Sequence, residues 1–219
     1  QYVYGIDPAA MSDNFAIVIL ELCADHNRVV YSWTTNKKKH LERLETGQSI
    51  DNNFYGFVAR KIRELMTVFP CNALGIDSQG GGYHVYEALN DTDKMIPGEQ
   101  FIWPVILPDK EQDTDGKSGL HILHLINFAN ANWTREANHG MKKDLEDKRL
   151  LFPFFDSASI ELASISDNQK NRIYDTLEDC VAEIEEMKDE ISTIALTQTA
   201  SGREHWDTPE IKLPGSKKG

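Results

Sequence analysis

The chain has 219 residues, of which 40% are hydrophobic and 26% charged, the composition of a folded globular protein and not of a disordered one. No apolar run approaches the ~20 residues that span a bilayer, so an integral membrane protein is excluded. Thirty-five acids against 23 bases leave a net charge of −12, which argues against a dedicated duplex binder with a basic footprint but not against a carboxylate site for divalent cations.

The opening is strand-rich. Tyr2 to Asp7, Phe15 to Leu22 and Arg28 to Thr35 are three apolar stretches with short polar connections, which predicts an antiparallel meander. Phe54, Phe57, Val58, Ile62, Leu65, Met66 and Phe69 recur at three and four and predict an amphipathic helix ended by Pro70. Ala73 to Asp77 reads as a short buried strand, followed by Gly80-Gly81-Gly82 and a helix through Val85, Tyr86 and Leu89. Phe101 to Leu107 reads as a further strand, Asp109 to Gly119 as a polar surface loop and Leu120 to Ala137 as a helix. Mixed charge from Lys142 to Arg149 leads to the apolar Leu150-Leu151-Phe152. From Asp167 onward, Ile173, Leu177, Val181, Ile184, Met187 and Ile191 form one helical stripe; Ser192 to Thr199 reads as a strand and Pro214 to Gly219 as a frayed end. Strands, then alternating helix and strand, with no linker-like break, predict one α/β layered domain over 1–219. The start at Gln1, without Met or a basic-then-apolar leader, reads as a fragment or a processed product.

Two acids end apolar strands in the same idiom: Gly5-Ile6-Asp7 and Gly75-Ile76-Asp77. In an open α/β sheet, functional groups gather at the carboxyl ends of strands. Neighbouring carboxylates repel unless a cation lies between them, and hard oxygen donors suit Mg²⁺ or Mn²⁺. One such Asp would be read as a turn cap; two in matching contexts, with Asp13 in the loop after Asp7, point to a metal site. The glycine run permits either a close backbone approach or a tight strand-to-helix turn. Gly116-Lys117-Ser118 lacks the earlier glycine of a phosphate-binding loop, because Glu111 stands there. His121 and His124, three apart, would share a helix face, without a visible third ligand. No Gly-x-Ser-x-Gly elbow supports a serine hydrolase. Cys23, Cys71 and Cys180 form no zinc-type pairs and read as buried thiols of a reducing compartment; the glycan-like triplets at Asn90 and Asn132 read as chance. Among basic clusters, Lys142, Lys143, Lys148 and Arg149 are the first choice for DNA phosphate contacts and Lys37 to Lys39, read as an exposed turn after the third strand, the second.

Tyr4-Gly5-Ile6-Asp7-Pro8-Ala9 with Asp13 and Phe15-Ala16-Ile17 resembles the first catalytic strand of the C-terminal nuclease domain of tailed-bacteriophage terminase large subunits. Ile76-Asp77-Ser78-Gln79-Gly80-Gly81-Gly82 is similar to that family's second acidic motif, and Glu186 to Ile194 to the passage before its third acid. The resemblance implies an RNase H-like mixed sheet, with three antiparallel strands followed by parallel strands and flanking helices. It implies a metal-dependent endonuclease that cuts concatemeric viral DNA during genome packaging, with two Mg²⁺ or Mn²⁺ ions ~4 Å apart. Asp7 and Asp77 would be the catalytic metal ligands, with Asp13 assisting. The third acid is Asp207 or lies beyond Gly219, since no final helix follows. The family's ATPase motor is absent from this chain, as in an excised nuclease domain. The implied partners are double-stranded DNA, that ATPase domain, the small terminase subunit and the portal, in the host cytoplasm and away from membranes. The rivals are a resolvase or integrase-like enzyme of the same fold, and a non-catalytic docking module of the packaging motor.

Overall fold

A computed structural model describes residues 1–8, 14–47, 49, 51–107, 116–156, 158, 160–162, 176–198, 202 and 204–207. Strands β1 (Tyr2–Asp7), β2 (Phe15–Leu22) and β3 (Asn27–Thr35) form the antiparallel meander. Their alternation sets the core face: Phe15, Ile17 and Ile19 are fully buried while Ala16, Val18 and Leu20 are half-buried. Each aliphatic side chain buried in this way contributes about 1.5–3 kcal/mol.

Helix α1 (Lys37–Glu45) follows β3 directly. The expected exposed turn at Lys37 to Lys39 is therefore the first turn of a helix, capped by Asn36, whose side chain accepts from the Lys39 N–H at 2.9 Å. The helix is anchored by His40, 2% exposed, whose ring lies tilted against Phe57 with centroids 4.7 Å apart and meets Phe54 edge-on. Helix α2 (Phe54–Val68) lays Phe54, Val58, Ala59, Ile62 and Leu65 on the sheet, as its periodicity requires, and Asn53 caps its first turn. Next come β4 (Cys71–Asp77), α3 (Gly82–Leu89), a 3₁₀ turn (Thr92–Lys94), β5 (Ile102–Pro104) and β6 (Leu120–Ile126). The chain continues with α4 (Ala131–Glu146), β7 (Leu150–Leu151), α5 (Leu177–Thr193), β8 (Ala195–Gln198) and β9 (Glu204–Asp207).

Seven strands form one sheet in the order β5-β6-β4-β1-β2-β3-β7; β8 and β9 form a separate hairpin. β4 is parallel to β1, β6 to β4, β5 to β6 and β7 to β3. This is the expected mixed sheet, three antiparallel strands followed by parallel strands and flanked by helices. α2 and α3 cover one face, where Val85, Leu89, Ile102 and Leu123 complete the core. α5 packs toward β3 on the far side of the strands, with Glu183 accepting a 2.7 Å bond from the Thr34 hydroxyl.

Two expectations are corrected. The helix expected over Leu120 to Ala137 is a strand, a turn and then α4. Leu120 to Ile126 is a short apolar run whose periodicity fits either element, and its burial between β4 and β5 decides for the strand. The helix expected from Asp167 begins at Leu177, behind a capping box of Thr176 and Asp179; Ile173 lies outside the described residues, as do most of the Asp109 to Gly119 loop and Pro214 to Gly219. Among the described residues no helix is long and apolar enough to cross a membrane.

Candidate active site

The sheet has a carboxyl end, where β1, β3, β4, β5 and β6 finish, and an amino end, where they start. Asp7 and Asp77 both stand at the carboxyl end. β1 and β4 begin their pairing with Tyr2 opposite Cys71, then an irregularity shifts the register so that Val3 faces Ala73 and Ile6 faces Ile76. One residue of β4 is extra there: Asn72, whose side-chain oxygen accepts from the Tyr2 N–H at 2.9 Å. Without this bulge Asp7 would be level with Ile76. With it, Asp7 is level with Asp77, their backbones ~4.8 Å apart on adjacent strands. Residues paired in a parallel ladder point to the same face, and a one-residue slip reverses that face. Ile6 and Ile76 go to the core at 4% and 0% exposed, so both aspartates go to the other face.

Asp77 Oδ1 accepts from the Gln79 N–H at 3.0 Å. The turn-capping role is thus real, but it uses one lone pair, and the other carboxylate oxygen can still face a cation. The glycine run resolves as a tight turn. Gly80 has φ of 58°, in the left-handed region, and a Cβ at Gly82 would overlap the Asp77 carbonyl oxygen. Gly82 lets α3 start hard against the strand end that carries Asp77. Beside the acids the surface is open: a Cβ at Gly5, on the same face of β1 as Asp7, would meet nothing within 4 Å among the described residues.

Asp13 lies outside the described residues. Asp207 is on β9, opposite Ala195 in the separate hairpin. Glu204, His205 and Trp206 of that hairpin share a cleft of about 570 Å³ with Phe128, Ala131 and Arg135, just beyond the end of β6. Among the described residues no group of three or more His, Cys, Asp or Glu side chains is close enough to hold a metal ion, so Asp207 does not close a set of three with Asp7 and Asp77. His121 and His124 do not form a pair on a helix. They lie on β6 with spacing three, hence on opposite faces, and both nitrogens of His121 lie near backbone oxygens, of Pro104 and Lys117.

The four cations first chosen for phosphate contact lie at the amino end. Lys142 and Lys143 are in the last turns of α4, and Arg149 O accepts from the N–H of Asn27, the first residue of β3. Tyr2 to Asp7 spans five residue steps, so this cluster lies at least ~17 Å along the strands from the acids. The second cluster, Lys37 to Lys39, lies at the carboxyl end, beyond Thr35. Sequence alone does not reveal which end of a sheet a segment reaches. Cys23, Cys71 and Cys180 are half-buried and not joined in disulfides. Burial pushes the Cys71 thiol up to about 12, which leaves it protonated and unreactive.

No protein-family model matches the chain, and no curated protein matches it. Among solved structures it is similar to the large terminase nuclease from thermophilic phage G20c, with 12% sequence identity and a TM-score of 0.49 over 94% of this chain and 72% of that one.

Proposed function

We propose that this chain is a divalent-metal-dependent endonuclease domain that hydrolyses DNA phosphodiester bonds at Asp7 and Asp77. One observation carries the reading: the Asn72 bulge sets a register in which two aspartates from separate strands stand level on one open face. Structural capping requires neither the register nor the second acid. The donors also fit the group. Two carboxylates one strand spacing apart offer hard, charged oxygens on a surface with space beside it, the chemistry that Mg²⁺ or Mn²⁺ takes. Such ions, when bound, supply a nucleophile at neutral pH and offset charge developing on the phosphate.

The residues act as follows. Asp7 and Asp77 would hold the cations, and Asp77 is oriented by the hydrogen bond it accepts from the Gln79 N–H. Asp13, six residues after Asp7 in the sequence, would assist. The open strip at Gly5 leaves room for a sugar–phosphate backbone. The biological setting that fits is the cutting of concatemeric viral DNA during packaging in the host cytoplasm. The ATPase motor domain, the small terminase subunit and the portal would then be the partners.

The test is cleavage of supercoiled plasmid with Mg²⁺ or Mn²⁺. The parent chain is expected to cut, and both Asp7→Asn and Asp77→Asn to cut at least ~10²-fold more slowly. Near-normal cutting by either variant would refute the assignment. No cutting by a folded parent protein with either ion would favour a docking module instead.

A further inference from the structure

We infer that the cleft between the start of α4 and the β8–β9 hairpin holds an unpaired nucleotide of the DNA strand, next to the bond cut at Asp7 and Asp77. The inference rests on the nuclease reading above and adds the form in which the strand arrives. Asp77 is level with Ile126, and the Ser78 N–H donates to Ile126 O at 2.6 Å, so β6 ends beside the acid. Phe128, two residues on, lines the cleft. Its backbone is then no more than ~12 Å from that of Asp77, close enough for neighbouring nucleotides of one strand to occupy both. The side of the sheet agrees. No described residue of α4, α5 or the hairpin belongs to the core beneath α2 and α3. α5, from which the hairpin continues, meets Thr34, which is level with Asp7 through Ala16 and shares its face.

The lining fits that ligand. Phe128 is 43% exposed and meets Trp133 edge-on with ring centroids 4.9 Å apart, so its ring is braced but not covered. From the hairpin side, the half-buried Trp206 ring is braced by His139, edge-on at 5.1 Å. Aromatic faces of this kind take an unstacked base, whereas a fully paired duplex keeps its bases stacked on one another. Arg135 is exposed, lines the same cleft and makes no hydrogen bond or ion pair among the described residues. Its guanidinium is therefore available to a phosphate oxygen. The acid in the lining, Glu204, is already engaged, with its carboxylate 2.9 Å from His139 Nε2. A volume of about 570 Å³ is that of a small-ligand site.

The experiment measures binding, with no cutting required. Affinity of the whole chain for a labelled oligodeoxythymidine and for a fully paired duplex is followed by anisotropy, in chelator, across a series of salt concentrations. The single strand is expected to bind more tightly than the duplex. Phe128→Ala should weaken single-strand binding about 5- to 100-fold, the effect of one lost base stack, and leave duplex binding unchanged. Arg135→Gln should lower the slope of log affinity against log salt by about 0.7, one phosphate contact to a single strand. It also keeps the test open should Phe128→Ala fail to fold. Phe154→Ala is the control: that ring is 92% exposed but follows β7, at the sheet edge away from β6, and its loss should change nothing. Equal affinity for the two DNAs, no single-strand binding at low salt, or unchanged binding by both cleft variants would each overturn the inference. So would displacement of the oligonucleotide by free thymidine monophosphate at equal concentration, which would assign the cleft to a small nucleotide. Single-strand binding that depends on Phe128 in a protein that never cuts would instead sink the nuclease reading and leave the cleft assigned.

Discussion

The two ends of the sheet carry similar residue types and use them in opposite ways. At the amino end nearly every polar group serves the fold. Arg28 pairs with Glu21, the Tyr4 hydroxyl donates to Phe69 O at 2.7 Å, and Asn72 satisfies the Tyr2 N–H. Arg63, 7% exposed, donates to Leu89 O and Gln100 O, and Glu99 accepts from Arg60 beside it. At the carboxyl end the arrangement opposes the fold's own electrostatics: two carboxylates level on adjacent strands, three lysines at the wrong end of a helix, and a glycine turn that exists to let a strand end and a helix start meet. Charges that stabilise are explained by folding alone. Under the proposed function, a cation between Asp7 and Asp77 would offset the repulsion of the two neighbouring carboxylates.

The sharpest way to break this contrast is to separate activity from stability at Asp77. Asparagine keeps the Oδ1 acceptor for the Gln79 N–H and removes one of two neighbouring negative charges. Asp77→Asn is therefore expected to lose cleavage by at least ~10²-fold while melting, in chelator, at the parent temperature or above it. A variant that loses activity and stability together would place Asp77 with the structural groups, and the comparison would fail.

Gly82→Ala probes the support of that acid. A Cβ there collides with the Asp77 carbonyl, backbone against side chain, with no flexible group to yield. The expected cost is about 1–3 kcal/mol, as for other overpacked sites, measured by urea unfolding. Cleavage should fall with it, because relief of the clash moves the strand end that carries Asp77. Full activity in a destabilised variant would show that the acid's position tolerates such movement.

The amino end is expected to fail in acid. Burial raises the Glu99 carboxyl, but hydrogen bonds from Arg60 and the Ile96 N–H and the charges of Arg60 and Arg63 outweigh it and hold Glu99 below its ordinary value. A lowered folded pKa means that the contribution is complete above the unfolded value, ~4.3, and is lost as pH falls through the folded one. Glu99→Gln should remove about 1–3 kcal/mol at neutral pH, as for a broken charged hydrogen bond, and flatten the stability curve below pH ~4. His40 acts at milder pH. Burial lowers its pKa, only partly opposed by Asp51, and neither ring nitrogen has a hydrogen-bond partner among the described residues. Its contribution is complete above ~6.5 and declines as pH falls below that, loosening first the packing of α1 against Phe54 and Phe57.

Much of the carboxyl end was legible in the sequence, and the reason is local. The Gly-Ile-Asp repeat, the meander and the α2 stripe are each set by a few consecutive residues. What was not legible depends on non-local pairing. The bulge at Asn72 exists only because β1 and β4 meet, 70 residues apart in sequence. The Gly80-Gly81-Gly82 run had two readings until the Gly82 contact with Asp77 chose one. Helix α1 was missed because its buried stripe is little more than His40 with half-buried Arg43 and Leu44. Which end of a helix and of the sheet each basic cluster reaches is likewise set by non-local pairing.

The smallest expected effect lies at Lys148, and it bears on the amino end alone. Lys148 is the residue after the α4 cap and holds the left-handed conformation, which costs an L-residue roughly 1–2 kcal/mol. Glycine adopts it freely but gives up some of the gain to a larger entropy loss on folding. Lys148→Gly also removes a cation that favours the helix end, worth a few tenths of a kcal/mol when exposed. The net is a gain of up to about 1 kcal/mol, read as a modest rise in melting temperature. Neither plasmid cutting nor the salt dependence of DNA binding should change, because the residue stands at the end of the sheet away from Asp7 and Asp77. A stabilised variant with weakened DNA binding would mean that this cation serves both the helix and the substrate, and that the division between the two ends is not as clean as the charges suggest.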